Sequence, residues 1–400
     1  MIIGLVGKAN VGKSTFFNAA TELAVPAANY PFTTIEPNVG VAFARVNCVC
    51  REFGVQDNPV HSLCIDGIRF IPIKIIDIAG LVPGAHTGKG LGNKFLDDSR
   101  QADVIIHIVD ASGSTDANGK PIPAGSGDPL YDIKFVEEEF DLWLGSIVGR
   151  DWSKAVRDAE SQNLKLELML AKRLSGLSIS EQQIASAIQS SGLASKKPAT
   201  WTEEDIHRFC TTLRTRSKPF VIAANKADLP SAEENISKMR SRGLSLIPCA
   251  SEAEYVLRKA SKKGLLHYLP GDGSFELKQG SALNEQQRKA LDMIETIMKK
   301  YGSTGVQEAI NHASLKMLNM ITVYPVEDEI KLSDKNGNIL PDVRLLPEGS
   351  NSKRLAETIH ADLAKGFLYA IDARTKQRIG ADHALKDRDV IKIVSATSRG

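Results

Sequence analysis

The stretch of sequence that decides the fold is residues 2–14, IIGLVGKANVGKS. A short apolar run is followed at once by the pattern G-x-x-x-x-G-K-S, which begins at Gly7 and ends at Ser14. Between a strand and a helix, this pattern is typical of a phosphate loop, whose backbone N–H groups surround a polyphosphate. The helix that opens near Gly12 directs the positive end of its dipole to the same place. The sequence therefore predicts that a nucleotide binds at this loop.

Two side chains of the loop would act on the phosphates directly. Lys13 would reach the terminal phosphates, and the hydroxyl of Ser14 would ligate Mg²⁺. We therefore predict that Lys13 is catalytic as well as nucleotide-binding. The residues predicted to hold the nucleotide at this loop are Gly7, Asn10, Val11, Gly12, Lys13, Ser14 and Thr15.

The composition of the chain excludes several classes of protein. The chain has 400 residues, of which 42% are hydrophobic, as is ordinary for a globular protein of two or three domains. The 50 lysines and arginines nearly balance the 48 acidic residues, so no strong overall field attracts nucleic acid or a membrane, and any contact with RNA must come from a local patch or from shape. No apolar run approaches the ~20 residues that span a bilayer, and the early core strand leaves no signal peptide before it. We therefore expect a cytoplasmic protein with neither membrane nor DNA as a partner.

The cysteines bear on the cellular compartment and on metal binding. Their number, five, is odd and too small for a disulfide scaffold in a chain of this length, which favours a reducing compartment. Three of them, Cys48, Cys50 and Cys64, could indicate a metal site. No fourth ligand stands at a spacing typical of zinc, so we interpret these three as small apolar residues on strands.

Two further segments would complete a magnesium site. Residues 29–38, NYPFTTIEPN, carry a threonine pair between two prolines, which exclude helix and keep the chain extended. A threonine hydroxyl after a phosphate loop can complete the Mg²⁺ shell when a γ-phosphate is present, although a surface turn would explain the same residues. Asp77 ends an apolar strand predicted over 71–76 and would hold Mg²⁺, and the N–H of Gly80 would sense the γ-phosphate. The predicted site therefore includes groups that respond to the γ-phosphate.

The segment NKAD follows an apolar strand predicted over 220–224 and would recognise the base. Its aspartate can accept hydrogen bonds from N1–H and from the exocyclic amine of guanine, a pair of donors that adenine does not present. The asparagine would contact both the base edge and the phosphate loop, and the lysine stem would lie across the ring. After the next strand, two backbone N–H groups could meet the guanine oxygen. The residues predicted to contact the base are Asn225, Lys226, Asp228, Ala250 and Ser251.

A long insertion, residues 112–217, stands where a minimal G domain has a single helix. Apolar periodicity predicts helices within it, and Ser180 with Gln183 and Thr202 with Asp205 predict two helix starts. All three tryptophans of the chain fall here, which favours a small core of its own over a partner surface.

The end of the chain has a different pattern. Residues 281–319 form a helical connector, whose main helix is predicted over 283–301. From residue 320 the order is strand, turn, helix and strand, which resembles a TGS domain with a ubiquitin-like grasp fold. In related proteins such domains contact RNA or ribosomal protein, and the sequence leaves both partners open.

The ordered motifs resemble the Obg-type translation-factor GTPases and, among them, the YchF-like branch found in archaea. The resemblance is carried by YPFTT at residues 30–34, by PN at 37–38, by the glycine-rich segment 77–92 and by NKFL at 93–96. It runs over nearly the whole chain, and it implies a role associated with ribosomes.

The resemblance also assigns individual residues. It places Thr34, rather than Thr33, on Mg²⁺ and in catalysis, and it places Asn10 where cation-dependent members of this class hold a potassium ion. Leu81 stands where Ras-like enzymes have the glutamine that orients the attacking water. Hydrolysis would then depend on potassium at Asn10 or on a residue such as His86. The alternative for His86 is that it is an ordinary surface histidine on a flexible loop.

Two details of the base-binding residues bear on the choice of nucleotide. The pair at 250–251 is Ala-Ser where the family has Ser-Ala, but this contact is made largely by the backbone, so guanine binding should survive. Some YchF relatives lack the aspartate of the NKxD motif and resemble ATPases. This chain keeps Asp228, which favours GTP.

Together these observations predict an α/β protein with several parts. A P-loop G domain with a mostly parallel, doubly wound sheet spans 1–111 and 218–280, with the helical insertion at 112–217, the connector at 281–319 and a C-terminal ubiquitin-like β-grasp (TGS) domain at 320–400. We expect GTP hydrolysis to GDP and phosphate with Mg²⁺, as a switch that acts on the ribosome or ribosomal RNA. The alternatives are an ATP-hydrolysing YchF-like protein, an RNA- or ribosome-binding module with little turnover, and a metabolic kinase, which would leave NKAD unexplained.

Overall fold

The computed structural model of the protein describes residues 1–22, 38–78, 99–177, 179–280 and 283–396. The described residues fall into two compact units. The first unit consists of residues 1–22, 38–40, 74–78, 99–177, 179–280 and 283–309, and the second consists of residues 41–73 and 310–396.

The described elements alternate between strands and helices along most of the chain. The strands are β1 (Ile2–Val6), β2 (Val39–Asn47), β3 (Leu63–Ile65), β4 (Ile68–Asp77), β5 (Val104–Asp110), β6 (Phe220–Asn225), β7 (Leu246–Pro248), β8 (Leu266–His267), β9 (Glu276–Leu277), β10 (Met320–Val326), β11 (Arg344–Pro347), β12 (Phe367–Asp372), β13 (Arg378–Ile379) and β14 (Asp389–Ser395). The helices are α1 (Lys13–Thr21), α2 (Cys50–Phe53), α3 (Pro129–Gly149), α4 (Trp152–Ser161), α5 (Leu166–Arg173), α6 (Glu181–Ser190), α7 (Glu203–Ser217), α8 (Ala232–Ser241), α9 (Ser251–Lys262), α10 (Glu285–Tyr301), α11 (Val306–Asn311), α12 (Ser352–Ile359) and α13 (Ala361–Lys365). Within the described ranges, none of the helices is long and apolar enough to span a membrane.

The first unit is organised around a parallel sheet. Residues 74–77 of β4 and the strands β1, β5, β6 and β7 are neighbours in that order, and every pair is parallel. Because β1 lies between strands that come later in the chain, the sheet is doubly wound. All of β5 is buried, as a parallel strand covered on both faces must be. The predicted fold class of the G domain is confirmed.

The insertion is helical, as predicted, but its core is not separate. Its three tryptophans are buried, and Trp152 stacks on Trp201 with ring centroids 5.2 Å apart. The same apolar cluster continues into the sheet through Val6 and Ile105, so the insertion shares the core of the first unit. The side chains of the tryptophans are therefore core residues, which confirms that part of the prediction.

Both predicted helix starts in the insertion are present as capping boxes. Ser180 accepts a hydrogen bond from the backbone N–H of Gln183, whose side chain bonds back to the Ser180 N–H. Thr202 and Asp205 repeat the arrangement at the start of α7. Each box satisfies backbone N–H groups that the first turn of a helix leaves without partners.

The second unit contains a mixed sheet packed against a short helix. Its strands are neighbours in the order β11-β10-β14-β12-β13, with β10 parallel to β14 at the centre and the other pairs antiparallel. Leu355 of α12 packs among Val323, Leu346 and Ile391 of the strands. This arrangement is the predicted ubiquitin-like grasp of a TGS domain.

The second unit also contains a hairpin formed by β3 and the first half of β4. Leu63 lies opposite Phe70, and the two strands are joined by Asp66 and Gly67. Both of these residues have positive φ, 51° and 71°, the geometry of a tight two-residue turn. The hairpin places Cys64 of β3 beside α2, where its Sγ lies 3.8 Å from the Sγ of Cys50.

Candidate functional site

The phosphate loop lies at the carboxyl end of β1, where two glycines are required by close contacts. A Cβ atom at Gly7 would lie 2.5 Å from the carbonyl oxygen of Ile108, closer than side-chain atoms can approach backbone. Gly12 has a φ of 91°, and a Cβ there would lie 2.3 Å from the Nδ2 of Asn225. The loop can therefore keep its path only with glycine at both positions.

Lys13, Ser14 and Asp77 converge at the start of α1. Asp77 is brought there because β4 runs beside β1, with Asp77 paired to Leu5. One carboxylate oxygen of Asp77 forms an ion pair with the Lys13 ammonium, and the other accepts a hydrogen bond of 3.3 Å from the Ser14 hydroxyl. A hydroxyl and a carboxylate are oxygen ligands of the kind that Mg²⁺ prefers, so these side chains fit that ion.

Asn225 connects the phosphate loop to the segment after β7. Its Nδ2 donates to the carbonyl oxygen of Val11 at 2.9 Å, the link to the phosphate loop that the sequence predicts. Its Oδ1 accepts from the backbone N–H of Ser251 at 3.1 Å and from the Ser251 hydroxyl at 2.7 Å. Only 2% of Asn225 is exposed. One buried amide therefore holds together three segments from distant parts of the chain.

Lys226 and Asp228 follow the end of β6 with different surroundings. The Lys226 ammonium contacts Asp110 at 2.9 Å and the hydroxyl of Ser114 at 3.0 Å. Asp228 is half-buried, and its carboxylate has no hydrogen bond or ion pair with another described side chain. Its oxygens can therefore accept hydrogen bonds from a ligand.

Asp110 anchors the lysine side of this region. It is fully buried and accepts hydrogen bonds from the hydroxyls of Ser112, Ser114 and Thr115. Burial raises the pKa of this carboxyl. The hydrogen bonds from Ser112 and Lys226 lower the pKa by more than burial raises it, so it lies below the ordinary value. Asp110 therefore stays ionised and holds Lys226 in place.

The backbone N–H groups predicted to meet the guanine oxygen already have acceptors within the protein. The N–H of Ala250 donates to the carbonyl oxygen of Thr304 at 2.9 Å, and the N–H of Ser251 donates to Asn225. A contact from either group to a base would therefore need a shared hydrogen bond.

Lys8 is a residue of the site that sequence reasoning missed. It is 3% exposed, and its ammonium lies 2.6 Å from one carboxylate oxygen of Asp132 in α3. It also donates to the carbonyl oxygens of Thr115 and Asp116, at 3.2 and 2.8 Å. Burial raises the pKa of Asp132, and Lys8 opposes this shift only in part. The partners are more than a hundred positions apart, and Lys8 occupies a variable position of the loop pattern, so no local signal marks it.

Asn10 joins the same loop to the beginning of the insertion. Its Nδ2 donates to the carbonyl oxygen of Gly119 at 2.9 Å. Asn10 is exposed and has a positive φ of 61°. This hydrogen bond uses the amide nitrogen and does not involve the side-chain oxygen, which is the atom that a potassium ion would contact.

Several predicted residues lie outside the described residues. They are Thr33, Thr34, Gly80, Leu81 and His86. Their roles in magnesium binding and hydrolysis stay predictions.

Three protein families match successive parts of the chain. Residues 2–124 match the family described as 50S ribosome-binding GTPase. Residues 223–328 match Obg-like GTPase YGR210-like, G4 motif-containing domain, and residues 336–395 match the TGS domain. The order of these matches is the order of the phosphate loop, the base-binding segment and the grasp fold.

Whole proteins give the same result. An uncharacterized GTP-binding protein of Methanocaldococcus jannaschii is 51% identical over 397 residues, which cover 99% of both chains. The ribosome-binding ATPase YchF of Bacillus subtilis is 28% identical, over 92% of this chain and 87% of its own. The crystal structure of a GTP-binding protein from Pyrococcus horikoshii OT3 superposes with a TM-score of 0.79 at 39% identity, over 99% of this chain and all of that one. The chain therefore belongs to the Obg-like, YchF-type family of GTP-binding proteins.

Proposed function

We propose that the protein hydrolyses GTP to GDP and phosphate with Mg²⁺ and acts as a nucleotide-dependent switch. The observation that carries the proposal is the position of Asn225. Its hydrogen bonds to Val11 and Ser251 put the end of β6 beside the phosphate loop, whose Lys13 and Ser14 converge with Asp77. One ligand can therefore contact both the triphosphate residues and the base residues.

The side chains divide the work on the phosphates. Lys13 would exchange its ion pair with Asp77 for the β- and γ-phosphates, and this exchange frees the Asp77 carboxylate for the metal. Ser14 and Asp77 would hold Mg²⁺, and we assign Thr34 to the same ion. When bound, Mg²⁺ neutralises charge that develops on the phosphate oxygens. We assign to Gly80 a backbone contact with the γ-phosphate.

Because residue 81 is leucine and not the glutamine of Ras-like enzymes, another group has to orient the attacking water. Asn10 holding a potassium ion would add positive charge beside the phosphates. Asn10→Ala should then remove any potassium dependence of turnover while sodium-supported turnover stays the same. If potassium stimulates wild type and Asn10→Ala equally, His86 becomes the residue to test.

Selectivity for guanine is assigned to Asp228. Its carboxylate would accept two hydrogen bonds from guanine, and each hydrogen bond to a charged group contributes about 1.5–3 kcal/mol. Calorimetric titration with GDP and with ADP in Mg²⁺ should therefore give at least tenfold (~1.4 kcal/mol) tighter binding of the guanine nucleotide. Asp228→Asn should abolish most of this preference, and the matched change Asp116→Asn, outside the base contacts, should not.

A relative of this chain is named an ATPase, so ATP hydrolysis is the second candidate. Equal or tighter binding of the adenine nucleotide to the wild-type protein would establish it in place of the guanine assignment. Turnover of each triphosphate, measured as phosphate release under the same conditions, separates preference in binding from preference in hydrolysis.

We further propose that the switch acts in the cytoplasm on the ribosome or its RNA. The support is the description of the family that matches residues 2–124 and the name of the Bacillus subtilis relative. Purified ribosomes should stimulate GTP hydrolysis, and a non-hydrolysable analogue should increase co-sedimentation with ribosomal particles relative to GDP. Co-sedimentation without stimulation, in sodium and in potassium, would instead indicate a binding module with little turnover.

A further inference from the structure

The second unit contains a cluster of metal-ligating side chains outside the nucleotide site. Cys48 follows β2, Cys50 opens α2, Asp57 lies between α2 and β3, and Cys64 is in β3. Three sulfur atoms and one carboxylate oxygen from these residues all lie within 4.8 Å of one another. Cys210 and Cys249, the other two thiols, belong to no such cluster in the part of the chain that the structure describes. Since these two thiols are buried without a cluster, burial alone does not explain why Cys48, Cys50 and Cys64 converge.

The distances match the edges of a tetrahedral metal site. A Zn–S bond of about 2.3 Å in a tetrahedron puts neighbouring sulfurs about 3.8 Å apart. The Sγ atoms of Cys50 and Cys64 are 3.8 Å apart, and Cys48 Sγ lies 3.1 Å from Asp57 Oδ2. Three thiols and one carboxylate make a complete set of four ligands, with no position left for water or substrate. Such a closed set is typical of a structural site rather than a catalytic one.

Arg69, on β4, supplies the outer contacts that a site of this kind needs. It is fully buried, and its Nη2 donates to Asp57 Oδ2 at 2.6 Å and to Cys48 Sγ at 3.4 Å. Its Nη1 donates to the hydroxyl of Ser62 at 2.8 Å. Four anionic ligands exceed the charge of a divalent ion, and the guanidinium offsets part of that excess while it orients two ligands. The ion pair explains why Asp57 is tolerated here, but it does not bring Cys50 and Cys64 together.

The cluster closes a segment that has little regular structure of its own. From the end of β2 to the start of β3, the chain forms one short helix, α2, of four residues, and the rest is loop. The ligands are at the two ends and in the middle of this segment, so one ion would cross-link all of it. Metal binding that cross-links such a segment contributes directly to folding.

We propose that Cys48, Cys50, Asp57 and Cys64 bind one zinc-class divalent ion as a structural site. Thiolate ligands favour zinc over the oxygen-preferring ions Mg²⁺ and Ca²⁺. The sequence interpretation missed this site because the fourth ligand is an aspartate, at equal distances along the chain from the second and third cysteines.

Cobalt substitution of the full chain tests the proposal. The reduced, metal-free protein should bind one equivalent of Co²⁺ with a thiolate-to-cobalt charge-transfer band and the strong visible bands of a tetrahedral site, and Zn²⁺ should displace it. Co²⁺ at the nucleotide site would have oxygen ligands and would lack the charge-transfer band, so the two sites are distinguishable. Cys64→Ser should weaken Co²⁺ binding at least about tenfold and reduce the band, because a hydroxyl replaces one thiolate ligand. Cys210→Ser, which changes a thiol outside the cluster, should leave both unchanged.

A second measurement uses only the wild-type protein and so does not depend on the folding of a variant. Zn²⁺ should protect Cys48, Cys50 and Cys64 from alkylation, as mapped by mass spectrometry, without changing the labelling of Cys210. The proposal is overturned if the wild-type protein gives no charge-transfer band, or if Zn²⁺ leaves the labelling of the cluster unchanged. A disulfide between Cys50 and Cys64 in the purified protein, with no metal bound after reduction, would overturn it as well.

Discussion

Two buried polar side chains, Asn225 in the first unit and Arg69 in the second, each tie several segments together, but only one carries charge. Asn225 uses its amide nitrogen and both lone pairs of its oxygen, and all three partners are neutral. Arg69 contacts a carboxylate, a hydroxyl, a thiol and the carbonyl oxygen of Leu340, and it lies over the Tyr324 ring at 5.4 Å. A neutral amide loses little on burial when its hydrogen bonds are made, whereas a buried guanidinium depends on its anion. The difference predicts how each region responds to substitution.

The largest expected effect is on the charged side of the comparison. In the metal-free protein, Arg69→Met should lower the free energy of unfolding by about 3–5 kcal/mol, because Asp57 would be left as a buried carboxylate without its cation. Adding Asp57→Asn to this variant should recover part of the loss, since the unpaired charge is then gone. Because all three tryptophans are in the first unit, denaturant unfolding should be followed by circular dichroism.

The matched control for this variant is Arg354→Met in the same unit. Arg354 is 59% exposed and pairs with Glu357, which is also exposed, so its loss should cost less than about 1 kcal/mol. Equal losses for the two arginines would show that Arg69 does not act as a buried countercharge.

Lys13 sharpens the comparison because its charge serves a ligand as well as a largely buried carboxylate. Lys13→Met should lower the turnover of GTP by about 10²–10³, since a cation placed on the transferred phosphate is removed. The melting temperature of the nucleotide-free protein should fall as well, but by less than for Arg69→Met, because Asp77 keeps the Ser14 hydroxyl as a partner. Lys134, on the exposed surface of α3, provides the control: Lys134→Met should have wild-type turnover. Phosphate release at saturating nucleotide is the measurement.

Substitution of Asn225, the neutral side chain of the comparison, should have a smaller effect, but on both stability and nucleotide affinity. Asn225→Ala leaves the Val11 carbonyl and the Ser251 donors without their partner, which should cost about 1–3 kcal/mol of stability and weaken nucleotide binding. Tryptophan fluorescence reports the unfolding of this unit, and calorimetry reports the affinity. Asn235→Ala removes an amide with one hydrogen bond, to the carbonyl oxygen of Ala111, and should cost less on both measures. Unchanged nucleotide affinity in Asn225→Ala would contradict the linking role on which the proposed function rests.

The same two centres show what the sequence could and could not predict. The phosphate loop, the residue at the end of β4 and the base segment are contiguous patterns at strand ends, so their positions follow from the parallel sheet. The grasp fold and the capping boxes are also local. The ion pair of Lys8 with Asp132 joins residues 124 positions apart, and the cysteine cluster depends on Asp57 and on a buried arginine. An arginine within a strand predicts an exposed face, so only tertiary packing shows Arg69 as a centre of contacts.

The boundary of the insertion core illustrates a related limit. Tryptophans concentrated in one segment predict burial correctly, because large aromatic side chains gain most from leaving water. The sequence does not show which surface covers them. In the structure, Phe140 lies against Phe220 of the sheet with ring centroids 5.8 Å apart, so the insertion completes the core of the first unit.

The smallest expected effect tests whether a carboxylate with several neutral donors depends on its cation. Asp110 is as buried as Arg69, but three hydroxyls donate to it in addition to Lys226. Since its pKa is lower in the folded protein, Asp110 contributes stability that is present above its unfolded pKa, near 3.8, and is lost as the pH falls through the folded pKa. Lys226→Met should raise that folded pKa and move the acid-unfolding midpoint upward by less than about 1 pH unit, with a loss near pH 7 of about 1 kcal/mol. Lys238→Met, an exposed change in α8, should leave the acid transition unchanged. If Lys226→Met loses as much unfolding free energy at pH 7 as Arg69→Met, the three hydroxyls do not replace the cation. The contrast between the two regions would then come from the arginine itself and not from the neutral donors around the Asp110 carboxylate.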